Sequence, residues 1–175
     1  MKSLQKILTA TLMVLLITSC GAAYNETKGQ RSAQEAIEQA VNVKALENAN
    51  FILEVTQIIP VGFPSKSSLG EYELRLDGNI VTTRLPFIGV AKEPQFGNND
   101  EDISIVFDKE EVDLSKDFSK ASKGEYHYKF KGGKGKRPWT VHLTVFDNAT
   151  GSIDCFCEDG RAMHYFANMR IPKKK

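Results

Sequence analysis

Hydrophobic and polar residues alternate with a rhythm that changes three times along the chain. Ile7 to Ile17 is a short, mostly apolar run behind the basic residues Lys2 and Lys6. Gly21 to Gln30 is polar and shows no period. Ala33, Ala36, Ile37, Ala40, Val41, Lys44 and Ala45 then recur near helical spacing, with Ser32 as N-cap and Glu35 three residues later in a capping-box pattern. This spacing predicts one helix over 32–48. Its apolar face is rich in alanine and shallow, suited to lying on a sheet or plugging one end of it. From Phe51 onward the period is two, and short runs rich in Val, Ile, Thr, Tyr and Phe are separated by turn residues.

That second half predicts a mainly β fold: an antiparallel β-barrel or twisted β-sandwich of about eight strands, carrying the one N-terminal helix. The first strand is Phe51 to Ile59, ended by Pro60. Tyr72 to Leu76 and Ile80 to Leu85 flank Asp77-Gly78-Asn79, a hairpin signal, and Phe87 to Ala91 continue beyond Pro86. Ile103 to Phe107 and a weaker Val112 to Phe118 follow. The last four strands are clearest: Tyr126 to Phe130, Trp139 to Phe146, Ser152 to Cys157 and Ala162 to Ile171.

In those four strands the faces can be assigned. Tyr126, Tyr128 and Phe130 share one side, as do Trp139, Val141, Leu143 and Val145, then Ile153, Cys155 and Cys157, then Met163, Tyr165, Ala167 and Met169. A register that buries all these sets together also permits each hairpin. Asn148-Ala149-Thr150-Gly151 reads as a bulged hairpin loop with glycine in the left-handed position. The aromatic stripe is read as core, with an aromatic-lined cavity as the alternative.

The apolar run before Thr18-Ser19-Cys20 is too short to cross a bilayer and has the layout of a secretory leader. It resembles the lipobox of bacterial lipoproteins, which implies cleavage after Ser19 and acylation of Cys20, palmitate being one such chain. The organisation expected is a signal peptide over 1–19, a flexible tether over 20–30, and a single β-rich domain over 31–172. Gly21, rather than an acidic residue, follows Cys20 and resembles the context for outer-membrane delivery, with the domain facing the periplasm. Removing the leader takes two of the 23 basic residues and none of the 22 acidic ones, leaving a nearly neutral body. Such a body has no field to gather nucleic acid, and no nucleic-acid partner is expected.

Candidate chemistry is sparse. Cys155 and Cys157, two apart on one strand, point to the same face and suit buried thiols better than a strained disulfide or half of a metal site. His127, His142 and His164 fall on the opposite face, His127 and His142 reading as cross-strand neighbours and Asp154 one strand away. Without a local His-x-x-His or Cys-x-x-Cys spacing, no metal ligand and no cofactor is assigned. No Gly-x-Ser-x-Gly elbow appears, and no catalytic residue is assigned. Glu110, Glu111 and Asp113 read as a solvated acidic patch. Gly132-Gly133-Lys134-Gly135-Lys136-Arg137 lacks phosphate-loop spacing and precedes a strand, so it reads as a mobile, solvated hairpin loop.

Arg84-Leu85-Pro86-Phe87-Ile88-Gly89-Val90-Ala91, with Phe51-Ile52-Leu53-Glu54 behind the helix and Tyr72-Glu73-Leu74 before the turn, resembles the bacterial lipoprotein-associated family catalogued as domain of unknown function 4251. The likeness spans most of the chain after Cys20. It departs from the family pattern at Phe87, where Tyr is frequent, and at Ala167, where Gly is expected. The resemblance implies a fold and an envelope location and assigns no catalytic residue. The function expected is therefore a non-enzymatic binding or accessory module, held to the membrane through Cys20 and serving an envelope protein or glycan. A lipocalin-like carrier of a small apolar ligand is the alternative, and a hydrolase ranks below both.

Overall fold

The computed structural model describes residues 31–68, 71–88, 104–134 and 138–173. Among them are a helix, α1 (31–47), and ten strands: β1 (Asn50–Pro60), β2 (Lys66–Ser67), β3 (Glu73–Asp77), β4 (Ile80–Pro86), β5 (Ser104–Glu111), β6 (Ser115–Asp117), β7 (Glu125–Gly132), β8 (Trp139–Phe146), β9 (Thr150–Cys157) and β10 (Ala162–Arg170). One antiparallel sheet holds them all in the order β5-β4-β3-β1-β10-β9-β8-β7-β6, with β2 paired beside β1. It curls on itself as a half-barrel, so the barrel-like reading stands and the sandwich falls away. The count exceeds about eight chiefly because β2, two residues long, is too short to show a hydrophobic period. Val112 to Phe118 narrows to β6. Phe87 and Ile88 lie outside any strand, while 89–91 fall outside the described residues.

Curling starts in β1. Val55 pairs with Ala167 and Gln57 with Phe166, so Thr56 is an extra residue on this strand. The bulge reverses parity: Phe51, Leu53 and Val55 face inward before it, and Ile58 and Pro60 after it. A strand with a bulge bends and twists more strongly, which turns a flat sheet toward closure. Thr56 Oγ1 donates to the Phe166 carbonyl at 3.2 Å and holds the distortion.

The interior is built from rows that cross the sheet. Tyr128, Leu143, Ile153, Tyr165 and Ile58 form one, each opposite the next. Phe130, Val141, Cys155 and Met163 form the row beside it. All are buried, as the sequence periodicity requires of one face of each strand. Rings fill the space between opposite walls, Phe107 meeting Phe130 edge-on at 5.5 Å and Phe51 meeting Tyr128 at 5.3 Å. Each large buried side chain contributes about 1.5–3 kcal/mol relative to exposure.

The chain divides into two units at Gln39/Ala40. Within the second unit, the helix plugs one end of the half-barrel with its last turn. Val41 is 50% exposed, whereas Ala45, Leu46 and Ala49 are buried. The Tyr128 hydroxyl donates to the Leu46 carbonyl at 2.6 Å, and Asn42 Nδ2 donates to the Asp147 carbonyl at 3.0 Å. Ala49, at φ 52°, takes the left-handed conformation that ends a helix, and its carbonyl accepts the Gly78 N–H at 2.9 Å.

Candidate functional site

Cys20, the one site residue expected from the leader pattern, lies outside the described residues. Cys155 and Cys157 are free and buried on the inner face. Burial pushes the Cys155 thiol well above its ordinary range, which suppresses the thiolate that thiol chemistry needs.

The three histidines do lie on the outer face, but not in the expected arrangement. His127 is opposite Thr144, and His142 is opposite Lys129, so the two are offset rather than paired. The reason is the register of the β7–β8 hairpin, which alternation fixes only to within two residues, since a two-residue slip keeps the same face buried. His127 Nε2 lies 2.8 Å from a Glu125 carboxylate oxygen, and Nδ1 is hydrogen-bonded to the Thr144 hydroxyl at 3.2 Å. His142, Asp154 and His164 instead form a row across three strands, each opposite the next. Asp154 Oδ1 is hydrogen-bonded to His164 Nδ1. Above and below that row stand Phe156 and Phe166, which are 46% and 45% exposed. The His142 ring meets Phe156 at 5.6 Å and the His164 ring meets Phe166 at 4.9 Å, both edge-on.

The end of the half-barrel away from the helix is closed by a cluster that periodicity did not reveal. The Arg161 guanidinium sits over Trp139 at 5.1 Å and over Phe87 at 5.5 Å, and the two rings are 5.8 Å apart. Asp159 fixes the arginine: its carboxylate accepts from Arg161 Nε at 2.8 Å and from the Arg161 backbone N–H at 3.0 Å. Burial alone would raise the Asp159 carboxyl, but the backbone hydrogen bond and the guanidinium hold it below the ordinary range. Tyr165 completes this end, its hydroxyl donating to the Pro86 carbonyl at 2.8 Å.

Two expectations of solvated segments need correction in part: Glu111 and Asp113 are exposed as expected, while Glu110 and the start of the basic loop are engaged. Gly133 N–H donates to both carboxylate oxygens of Glu110 at 3.1 Å, and Lys134 N–H donates to the Val106 carbonyl at 2.8 Å. The start of the basic loop is thus tied to β5, bridging the seam where the sheet's ends approach. Glycine is favoured there, because Gly133 takes φ 99°, a conformation that L side chains rarely adopt, and a Cβ on Gly132 would push the Glu110 carboxylate aside. Glu110 is accordingly a structural acceptor, and Glu111 accepts from Asn79 at 2.8 Å. Beside the seam an open groove of about 380 Å³ is lined by Glu73, Thr82, Arg84, Asp108 and Lys134 among others. Its charges are largely matched, Lys134 to Asp108 at 3.1 Å and Glu73 to Arg170 at 2.7 Å.

The model of the family described as "Domain of unknown function (DUF4251)" matches residues 33–166. The chain belongs to the DUF4251 family. A crystal structure of a DUF4251 family protein from Bacteroides eggerthii DSM 20697 shares this fold, with a TM-score of 0.53 at 15% identity, covering 79% of this chain and 91% of that one. No curated protein matches the chain.

Family membership gives the motif residues a physical meaning. Leu85 is core, Pro86 supplies the carbonyl that anchors Tyr165, and Phe87 packs on Trp139. The DUF4251 motif here is therefore a clamp on one end of the half-barrel. Ala167 stands opposite Gly151, and it is Gly151 whose Cβ would come within 2.9 Å of the Thr144 carbonyl. Close approach is thus provided from the partner strand. Gly151 sits within β9, and the left-handed residue of the β8–β9 turn is Ala149, at φ 64°. Asn148 Oδ1 steadies that turn by accepting from the Thr150 N–H and hydroxyl at 3.1 and 2.7 Å.

Proposed function

We propose that this DUF4251 protein is an acylated envelope lipoprotein, anchored at the outer membrane through Cys20 and facing the periplasm, that acts as a non-enzymatic binding or accessory module. The observation that carries the binding reading is the occupied interior. Phe51, Leu53, Phe107, Tyr128, Phe130 and Tyr165 are all essentially inaccessible to solvent and stand where a lipocalin-like carrier would hold its ligand. A partner is then met on an outer surface or at an end. The Cys155 thiol is buried and its ionisation suppressed, and each histidine is engaged by a neighbouring strand, which supports a non-enzymatic role over a hydrolase. The leader and Cys20 support the anchor, since each acyl CH₂ buried in a bilayer contributes about 0.8 kcal/mol and two or three chains hold a protein in place.

The anchor is tested by expressing the full chain and its Cys20→Ser variant in a Gram-negative host fed an alkyne analogue of palmitate. The native chain is expected in the membrane fraction carrying label, and Cys20→Ser is expected without label and with its leader uncut. An unmodified thiol at Cys20 in the native product overturns the anchor and the location built on it.

A further inference from the structure

The outer face of β9 and β10 combines three features that seldom coincide by chance on a solvated sheet. First, Phe156 and Phe166 are large apolar side chains left half in water. Second, they are held rather than loose: each phenyl is braced edge-on by an imidazole of the adjacent strand or of its own, at interplanar angles of 71° and 85°. Such bracing removes rotamer freedom before any ligand arrives. Third, the row between them carries the Asp154–His164 pair. Phe156 is opposite Ala162, Asp154 opposite His164, and Phe166 opposite Ser152, so ring, polar pair and ring follow one another down a diagonal. At about 3.3 Å per residue and about 4.8 Å per strand, the two rings lie roughly 14 Å apart.

We propose that this face is a binding platform for neutral oligosaccharide. A pyranose ring has an apolar C–H face and an equatorial rim of hydroxyls. The partly positive C–H groups suit the negative π face of a phenyl. The hydroxyls suit a carboxylate that accepts and an imidazole that donates, since charge-assisted hydrogen bonds are the stronger ones. A chain of sugars lying along the diagonal meets Phe156, then Asp154 and His164, then Phe166. Neutral sugar is favoured over an anionic one because Asp154 occupies the centre, and over a protein partner because polar Thr140, Ser152 and Gln57 separate the rings from one another, Ala162 and the half-buried Ile59 being the aliphatic neighbours. The proposal gives the ligand class of the binding module and rests on that reading, though not on the anchor.

The test is affinity electrophoresis of the full chain, purified in detergent from whole cells, through native gels containing soluble starch, dextran, mannan or galactan. At least one polysaccharide is expected to retard it, and Phe156→Ala and Phe166→Ala are each expected to weaken retardation about tenfold. In a second readout, oligosaccharide of the retarding type is expected to shift the ring resonances of His142 and His164 in the native protein, which stands even if a variant fails to fold. No retardation by any of the four, retardation indifferent to both phenylalanines, or a native dimer abolished by the same substitutions overturns the platform. In-cell photo-cross-links from position 156 to a protein, without retardation, overturn the sugar while leaving a binding module. With neither cross-links nor retardation, this face is overturned as a binding surface of any kind, and the module reading is left to the ends of the half-barrel.

Discussion

The two ends of the half-barrel are closed by different physics. At the helix end, Leu46, Ala49 and Phe51 are wholly buried, and Phe118 packs edge-on against Tyr126 and Tyr128 at 5.2 and 5.7 Å. At the opposite end a cation rests on two rings, with the side chains of Arg161 and Asp159 19% and 14% exposed. Burial has no direction and little dependence on pH, whereas a guanidinium on aromatic faces depends on its counter-ion and on orientation. The helix end is the stable floor of the fold, and the Arg161 end is the part that conditions can loosen.

The largest test of that contrast is a pair of truncations. Phe51→Ala removes a fully buried ring and is expected to cost about 3–5 kcal/mol. Phe87→Ala removes a partly buried ring from the other end and is expected to cost about 1–2 kcal/mol, in proportion to the smaller area it covers. Urea unfolding of both variants measures the difference in midpoint. Equal losses would mean that the two ends are equally dependent on packing, and the contrast would be gone.

The same contrast separates what periodicity made legible from what it did not. The inner faces of β7 to β10 follow from strict alternation, because burying one face rules out every one-residue slip, while slips of two keep that face and leave cross-strand neighbours such as those of His127 and His142 open. The Gly78–Asn79 turn follows as well, since Asp77 and Ile80 are paired directly across it. Nothing in the spacing joins β1 to β10, which lie side by side although no turn connects them. The bulge at Thr56 was hidden for a related reason: an added residue is invisible until the partner strand is known. Arg161, Asp159 and Phe87 were missed because they sit in or beside turns, where no hydrophobic period exists, and meet only once the sheet has curled. Phe156 and Phe166 carried a signal that was available. They break the polar alternation on the outer face of their strands, and an apolar residue at an exposed position of a regular strand is worth asking about.

A smaller effect is expected from the two tyrosines that tie the ends. Tyr128→Phe leaves the Leu46 carbonyl without its donor beneath buried residues and is expected to cost about 1–3 kcal/mol. Tyr165→Phe frees the Pro86 carbonyl, which is partly accessible and can turn to water, and is expected to cost less. Burial is the main cause that raises both phenols above their ordinary value, with Tyr126 and Glu47 adding to it at Tyr128 and Cys155 at Tyr165. The unfolded chain therefore releases these protons near pH 10 while the folded chain retains them. Their contribution is intact below about pH 10 and declines as pH rises beyond it. Each phenylalanine variant is expected to flatten part of that alkaline decline in urea midpoints measured from pH 8 to 11. A decline as steep in both variants as in the native protein would show that other groups govern it.

The smallest expected effect is the most local. Arg161→Lys keeps the charge but loses the planar fork that lies on Trp139 and Phe87 while bonding Asp159, and is expected to cost about 1 kcal/mol. Trp139 is the chain's single tryptophan, so its fluorescence reports this end alone. In the native protein the Asp159 carboxyl is held below its ordinary value, so its contribution is present above about pH 4 and is lost as pH falls through the lower folded value. Acid titration is therefore expected to shift Trp139 emission to the red while far-ultraviolet circular dichroism, which reports the whole sheet, is unchanged. In Arg161→Lys the same shift should begin at higher pH, because a weaker partner depresses the carboxyl less. If emission and dichroism change together in both proteins, the Arg161 end does not open apart from the rest, and the cation on its two rings is as much a part of the floor as the helix turn is.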